Sequence, residues 1–161
     1  MISSQDELKS SPITAIVNYQ ADTVLISTLK NGFYLLSGSN LTRMKTAADA
    51  FFVKNRINKV LKLKDGTFLV ATASGGCVII NKNGALLQHF DNTDGLQDSQ
   101  VRGIFQDDSE NLWLGLDDGI DFIACNSALK YIRPDRRKQT SGYATQILNH
   151  QLFIGTADRL Y

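Results

Sequence analysis

Leu112-Trp113-Leu114-Gly115-Leu116, two aspartates, then Gly119-Ile120-Asp121-Phe122-Ile123: this stretch sets two short apolar strands around a tight polar turn. Copies of it lie on both sides. Val24-Leu25-Ile26-Ser27-Thr28 leads to Gly32-Phe33-Tyr34-Leu35-Leu36, and Phe68-Leu69-Val70-Ala71-Thr72 leads to Gly76-Cys77-Val78-Ile79-Ile80. A last copy, Leu152-Phe153-Ile154-Gly155-Thr156, runs on to Leu160-Tyr161. Thr28, Thr72 and Leu116 stand 44 residues apart, and so do Ile16, Val60 and Ile104. The final step, to Thr156, is 40 residues, mostly because the turn at Asn149–Gln151 is shorter. Each unit opens on a further strand (Ile16-Val17, Val60-Leu61, Ile104-Phe105, Ile147-Leu148), and a fourth follows at Leu41–Met44, Leu86–Phe90 and Leu129–Ile132.

Short strands in fours at such a period are the signature of β-propeller blades. Helical repeats need apolar residues at i, i+3, i+4 and i+7 over long windows, and no such window appears. Val, Ile, Leu and Phe fill the strands, and Gly, Asp, Asn and Ser bound them. Lys64-Asp65-Gly66 is a strong hairpin signal, because glycine accepts the positive φ such turns impose. Ser27, Ala71, Gly115 and Gly155 recur at one seat, where a larger side chain is expected to block close approach of sheets or hairpin. The expected fold is all-β, a partial propeller of about four blades, each a four-stranded antiparallel sheet. Residues 1–161 form one segment, with blades over about 13–45, 57–90 and 101–132 and an incomplete one over 144–161.

Seventeen Lys and Arg face sixteen Asp and Glu, a net charge of +1 that argues against nucleic acid or an anionic membrane as partner. The longest apolar runs, such as Phe68–Ala71 and Cys77–Ile80, are far too short to cross a bilayer as helices. Met1–Ser10 is polar and acidic, so no signal peptide is visible; the chain is either cytoplasmic or has lost a leader.

Chemistry is sparse. Cys77 and Cys125, with no CxxC, and His89 and His150 make no recognisable zinc site, so no metal and no cofactor are expected. Two buried thiols are the favoured reading of the cysteines, a disulfide the other. Asp107-Asp108 and Asp117-Asp118 fall in hairpin turns, which aspartate favours, and lack EF-hand spacing. Arg133, Arg136, Arg137 and Lys138 read as a solvated loop beside Pro134, with an anionic contact as the lesser reading. Trp113 could stack on a sugar ring, but its counterparts Leu25, Leu69 and Phe153 point to packing between blades. Neither histidine sits in a triad context, and Ser74-Gly75-Gly76 precedes a strand rather than a phosphate-cradling helix.

The third unit resembles a known repeat. Asp94-Gly95-Leu96, Ser99–Asp107, Asn111–Leu116 and Asp118-Gly119-Ile120 are similar to the two-component regulator propeller repeat, roughly D-G-L, N-x-V-x-x-I, an acidic turn, G-x-L-W-I-G-T and G-L. Gln100 stands where that pattern prefers Asn, and Leu116 where it prefers Thr; the other units match more loosely, through Ser27-Thr28, Ala71-Thr72 and Gly155-Thr156. The resemblance spans about residues 13–161. It implies a ligand-sensing, non-catalytic module of a bacterial two-component regulator, periplasmic or otherwise extracytoplasmic, of a kind common in Bacteroidetes and in several systems responsive to saccharides. No kinase, receiver or helix-turn-helix motif accompanies it here.

In a propeller, ligands gather where loops converge on the axis, which selects Lys54–Asn58, Gln97–Arg102 and Thr140–Thr145. Asn58 and Arg102 are the polar residues placed there, by architecture rather than by motif. The rivals are a propeller enzyme of the lyase type, which needs clustered His or Glu on those loops, and a generic protein-interaction propeller of the WD or kelch type. Propellers close with roughly four to eight blades. Three arrangements stay open: a piece of a longer array, which is favoured, two copies completing a ring, or closure alone. Remaining blades or a second copy are thus the expected protein partners, and a small saccharide the expected ligand.

Overall fold

The computed structural model describes residues 8, 10–125, 142–149, 151–157 and 159–161. The chain divides into two compact units, Met1–Asn126 and Ser127–Tyr161. In the first, β1 (Ile13–Gln20), β2 (Thr23–Thr28), β3 (Gly32–Ser37) and β4 (Asn40–Met44) form an antiparallel meander in chain order. A helix, α1 (Asp49–Asn55), leads to the second meander: β5 (Ile57–Lys62), β6 (Phe68–Thr72), β7 (Cys77–Ile80) and β8 (Leu86–Phe90). The third sheet holds β9 (Val101–Gln106), β10 (Leu112–Leu116) and β11 (Ile120–Ile123). Its expected fourth strand, Leu129–Ile132, lies outside the described residues, as do the basic run at 133–138 and His150. In the second unit β12 (Gly142–Leu148) pairs antiparallel with β13 (Gln151–Thr156). The all-β, blade-like architecture expected from the repeat is the one the chain adopts.

The repeat is held at its turns. Thr72 Oγ1 donates to the Gly76 carbonyl at 2.8 Å and accepts from the Gly75 amide at 3.0 Å. Thr28 makes the same pair of bonds with Gly32 and Asn31, and Thr156 with the carbonyl and amide of Arg159. One hydroxyl thereby holds the turn amide and adds a second bond to a carbonyl that, at Gly76 and Arg159, also accepts from the threonine's own backbone amide. In the third sheet Leu116 has no hydroxyl, and its turn keeps only the backbone bond from Leu116 N to Gly119 O. The glycine opening each third strand has positive φ, 76°, 73° and 95° at Gly32, Gly76 and Gly119. At Gly76 an added Cβ would also lie 1.9 Å from the Phe90 carbonyl oxygen, so no side chain fits.

Two apolar seams join the three sheets. Leu25 and Phe33 from the first sheet meet Val60, Phe68, Val70, Val78 and Ile80 from the second. Leu69, Ala71, Cys77 and Ile79, on the other face of that second sheet, meet Val101, Leu112, Leu114 and Leu116 of the third. All five residues of β6 are therefore buried, whereas one-sided strands such as β8 are mostly exposed. A strand covered on both faces reads as a continuous apolar run rather than an alternation. At the inner side β1 lies beside β5, and β5 beside β9.

Two expectations need correcting. The connection at Lys54–Asn58 is not a loop: Lys54 and Asn55 end α1, and Ile57 and Asn58 begin β5. At seven residues α1 is too short to leave a periodic signature. Asp49 Oδ1 accepts from the Thr46 amide and hydroxyl at its start, while Phe52 is buried edge-on against Phe33. The small-residue seat is not sterically blocked at Gly115 either, where an added Cβ would meet the Gly103 backbone at an ordinary 3.7 Å. Burial sets the limit instead, since Ser27 and Ala71 are both sealed from solvent. Cys77 and Cys125 form no disulfide; Cys77 is buried and its pKa is pushed up to about 12 by that burial, while Cys125 is half-buried.

Replacing Thr72 with Val keeps shape and burial but leaves the Gly75 amide and Gly76 carbonyl without the hydroxyl. Equilibrium denaturation should show a loss of about 1–2 kcal/mol; an unchanged midpoint would mean the hydroxyl bridge is incidental.

Candidate functional site

The inner strands share a defect in the same place. Ile13 pairs with Thr28 and Ala15 with Ser27, leaving Thr14 as an extra residue. Asn58 is skipped in the same way between Ile57 and Lys59, and Arg102 between Val101 and Gly103. In the second unit Tyr143 is skipped between Gly142 and Ala144. A β-bulge of this kind bends the strand and re-aims one side chain, and bulges concentrate at rims and binding sites. The bulges at Thr14, Asn58 and Arg102 sit at the ends of strands that lie side by side, the end from which the connections through α1 and through residues 91–100 also emerge. Asn58 and Arg102, chosen from architecture, are both bulge residues.

Their environments differ. Asn58 Nδ2 donates to the Val101 carbonyl at 3.1 Å, clamping the second sheet to the third, and its side-chain oxygen has no partner among the described residues. Arg102 reaches outward: Nε and Nη2 both donate to Asp117 Oδ1, at 2.9 and 2.8 Å, with side chains 60% and 48% exposed. Thr14 Oγ1 lies 2.9 Å from Ser27 Oγ. The rim thus offers a cation held in place by a carboxylate, an amide oxygen and a hydroxyl, a set suited to hydrogen-bonding a polar ligand. Of Gln97–Arg102, Gln97 is engaged with Asp121 through its backbone amide and its side chain. From Thr140–Thr145 the structure describes only Gly142 onward, at the start of β12.

Asp117 and Thr14 were not singled out by the sequence. Asp117 reads as a turn residue, and only the fold brings it to Arg102. Thr14 was within reach, since it stands 44 residues before Asn58 just as Asn58 stands 44 before Arg102.

The other polar groups are occupied by the turns. Asp107 accepts from the Asn111 amide and side chain and from Trp113 Nε1. Slight desolvation opposes its charge, but the bonds from Trp113 and Asn111 outweigh it and hold the carboxyl below the usual range. His89, Asp91 and Asp94 are the one group among the described residues that gathers three metal-ligating side chains. His89 Nε2 is 2.9 Å from the Gly75 carbonyl, and Asp91 Oδ1 accepts from the Thr93 amide and hydroxyl. Burial opposes ionisation of Asp91, yet the bonds from Thr93 and the neighbouring His89 bring its pKa below the ordinary value. Trp113 lies on the face of the third sheet turned away from the second, against Phe122 at 4.8 Å between centroids. Leu25 and Leu69 close the two seams from the matching position, but Trp113 is 43% exposed.

No protein-family model and no curated protein sequence matches the chain. Solved structures do match. PorZ, an essential surface component of the type-IX secretion system of Porphyromonas gingivalis, superposes with a TM-score of 0.58 at 14% identity, over 88% of this chain and 21% of its own. The extracellular domain of the putative hybrid two-component system BT4673 from B. thetaiotaomicron gives 0.57 at 22% identity, over 92% of this chain and 21% of its own. That of BT3049, from the same organism, gives 0.55 at 22%, over 89% and 19%. What these structures share with the chain is the fold, here a partial β-propeller. The chain spans about a fifth of their length.

The two rim residues should separate in a stability assay. Asn58→Ala removes a bond that spans two sheets and should cost about 1 kcal/mol, whereas Arg102→Ala breaks an exposed ion pair and should cost well under about 1 kcal/mol. Equal losses would contradict the division into buried-seam clamp and exposed ion pair.

Proposed function

We propose that this chain is a ligand-sensing propeller segment of a bacterial two-component regulator, working outside the cytoplasm, non-catalytic, with a small saccharide as its ligand. The observation that carries the proposal is the line of bulges that presents Thr14, Asn58 and Arg102 at one end of adjacent inner strands. A hydroxyl, an amide and a guanidinium can hydrogen-bond the hydroxyls of a sugar. The likeness in fold to extracellular domains of hybrid two-component systems supports the sensing role and the location. Among the described residues, no helix is long and apolar enough to cross a membrane.

The apolar face of the third sheet, with Phe105, Trp113, Ile120 and Phe122, continues the pattern of the two seams. We infer that a further blade of the same repeat is its partner. Binding would then be transmitted as a small change in how successive blades meet, since packed interfaces switch rather than deform.

Isothermal titration with a panel of neutral and acidic mono- to tetrasaccharides tests the reading. At least one should bind saturably, and Arg102→Ala should weaken it at least tenfold while leaving the melting temperature in place. A panel without binders, or one whose binding survives the substitution unchanged, would overturn the rim as a sensing site.

A further inference from the structure

The opposite end of the first two sheets holds an open cleft of about 480 Å³, lined by Tyr19, Gln20, Lys62, Asp65, Gly66, Thr67, Asn81 and Lys82. That volume suits a small ligand. The matching end of the second seam is bridged, and the contrast gives the cleft its meaning. There Lys64 crosses from the second sheet to the third, its Nζ donating to the Asp107 and Asp108 carbonyls at 3.0 and 3.2 Å and its amide to Gln106 Oε1 at 2.9 Å. One 44-residue step back, the place of Lys64 is taken by Gln20. Its shorter, uncharged side chain makes no such bridge, and none of the bonds across this seam comes from it. The seam is locked instead by Lys62 Nζ on the Tyr19 carbonyl, at 3.0 Å, and by the Tyr19 hydroxyl on the Lys82 carbonyl, at 2.7 Å.

The locks leave chemistry free. Lys82 has no ion pair or side-chain hydrogen bond among the described residues, and neither has the Gln20 amide. Two lysines against one aspartate give the lining a net positive charge. Tyr19 stacks at 5.9 Å and 7° on Phe68, so its ring is a fixed apolar wall. Asp65 Oδ1 is taken by the Thr67 amide and hydroxyl, which fixes the third wall. A cation, an amide and a flat apolar surface around one opening recognise a small carboxylate that also carries hydroxyl groups.

We propose that this cleft is a second binding site, for a small hydroxylated carboxylate, with Lys82 as the anion-binding group and Gln20 as the residue whose short side chain leaves the cleft unspanned beside the Lys62 and Tyr19 bonds. It is independent of the rim site and of the sensing role. Titration calorimetry with glucuronate, glucose and inorganic phosphate tests it on the whole chain. Glucuronate should bind saturably and at least tenfold more tightly than glucose or phosphate. Lys82→Ala should weaken it at least tenfold, and Arg102→Ala should leave it unchanged, which separates this site from the rim. Gln20→Lys should abolish binding without lowering the melting temperature, because it restores the kind of bridge that Lys64 makes. Absence of saturable glucuronate binding overturns the proposal. So does binding indifferent to Lys82→Ala and Gln20→Lys, or phosphate binding as tightly as glucuronate, which would leave a bare anion site.

Discussion

The burial of β6 on both faces is the constraint from which the rest of the first unit follows. Phe68 and Val70 face one neighbouring sheet, and Leu69 and Ala71 the other, so this strand has no polar side to offer water. Fully burying the Phe, Val and Leu side chains among them contributes about 1.5–3 kcal/mol each. Removing either neighbour would forfeit that contribution for half the strand. Stability in such an array comes from nearest-neighbour seams more than from the sheets themselves. The threonine turns and positive-φ glycines matter because they return each strand at the register the next seam needs.

This dependence explains what was legible. The strand runs, the 44-residue step and the hairpin turns are local or periodic, so the residue order carries them directly. The rim was half legible: the positions of Asn58 and Arg102 follow from where inner strands begin. Their difference in role does not follow, because the Val101 carbonyl and the Asp117 carboxylate that hold them come from other strands. α1 was not legible, since its single buried anchor, Phe52, looks like any apolar residue in a short connection. The size limit at Ser27 and Ala71 was visible, and of its two expected causes, close approach of sheets or of the hairpin, the first is the one seen at Ala71, which packs in the second seam.

The two ends of the sheets have diverged within one repeat. At one end the bulges expose hydroxyl, amide and guanidinium on successive inner strands. At the other, Lys64 bridges the second seam, whereas the first, with Gln20 at that register position, is bridged by Lys62 and Tyr19 beside an open cleft. Repeats of equal fold can therefore carry unequal chemistry at either end while the buried strands stay alike. In the sensing role proposed for the chain, the ends of the sheets would meet ligands and the seams would relay the response.

The account rests on the claim that the two seams make residues 13–123 one cooperative body rather than three stacked modules. Native-state hydrogen exchange measures this most directly, through the opening free energies of amides in β2, β6 and β10. The account predicts a single value for all three strands, falling together in Thr72→Val. Separate values for each sheet, with the Thr72→Val loss confined to β6, would contradict it.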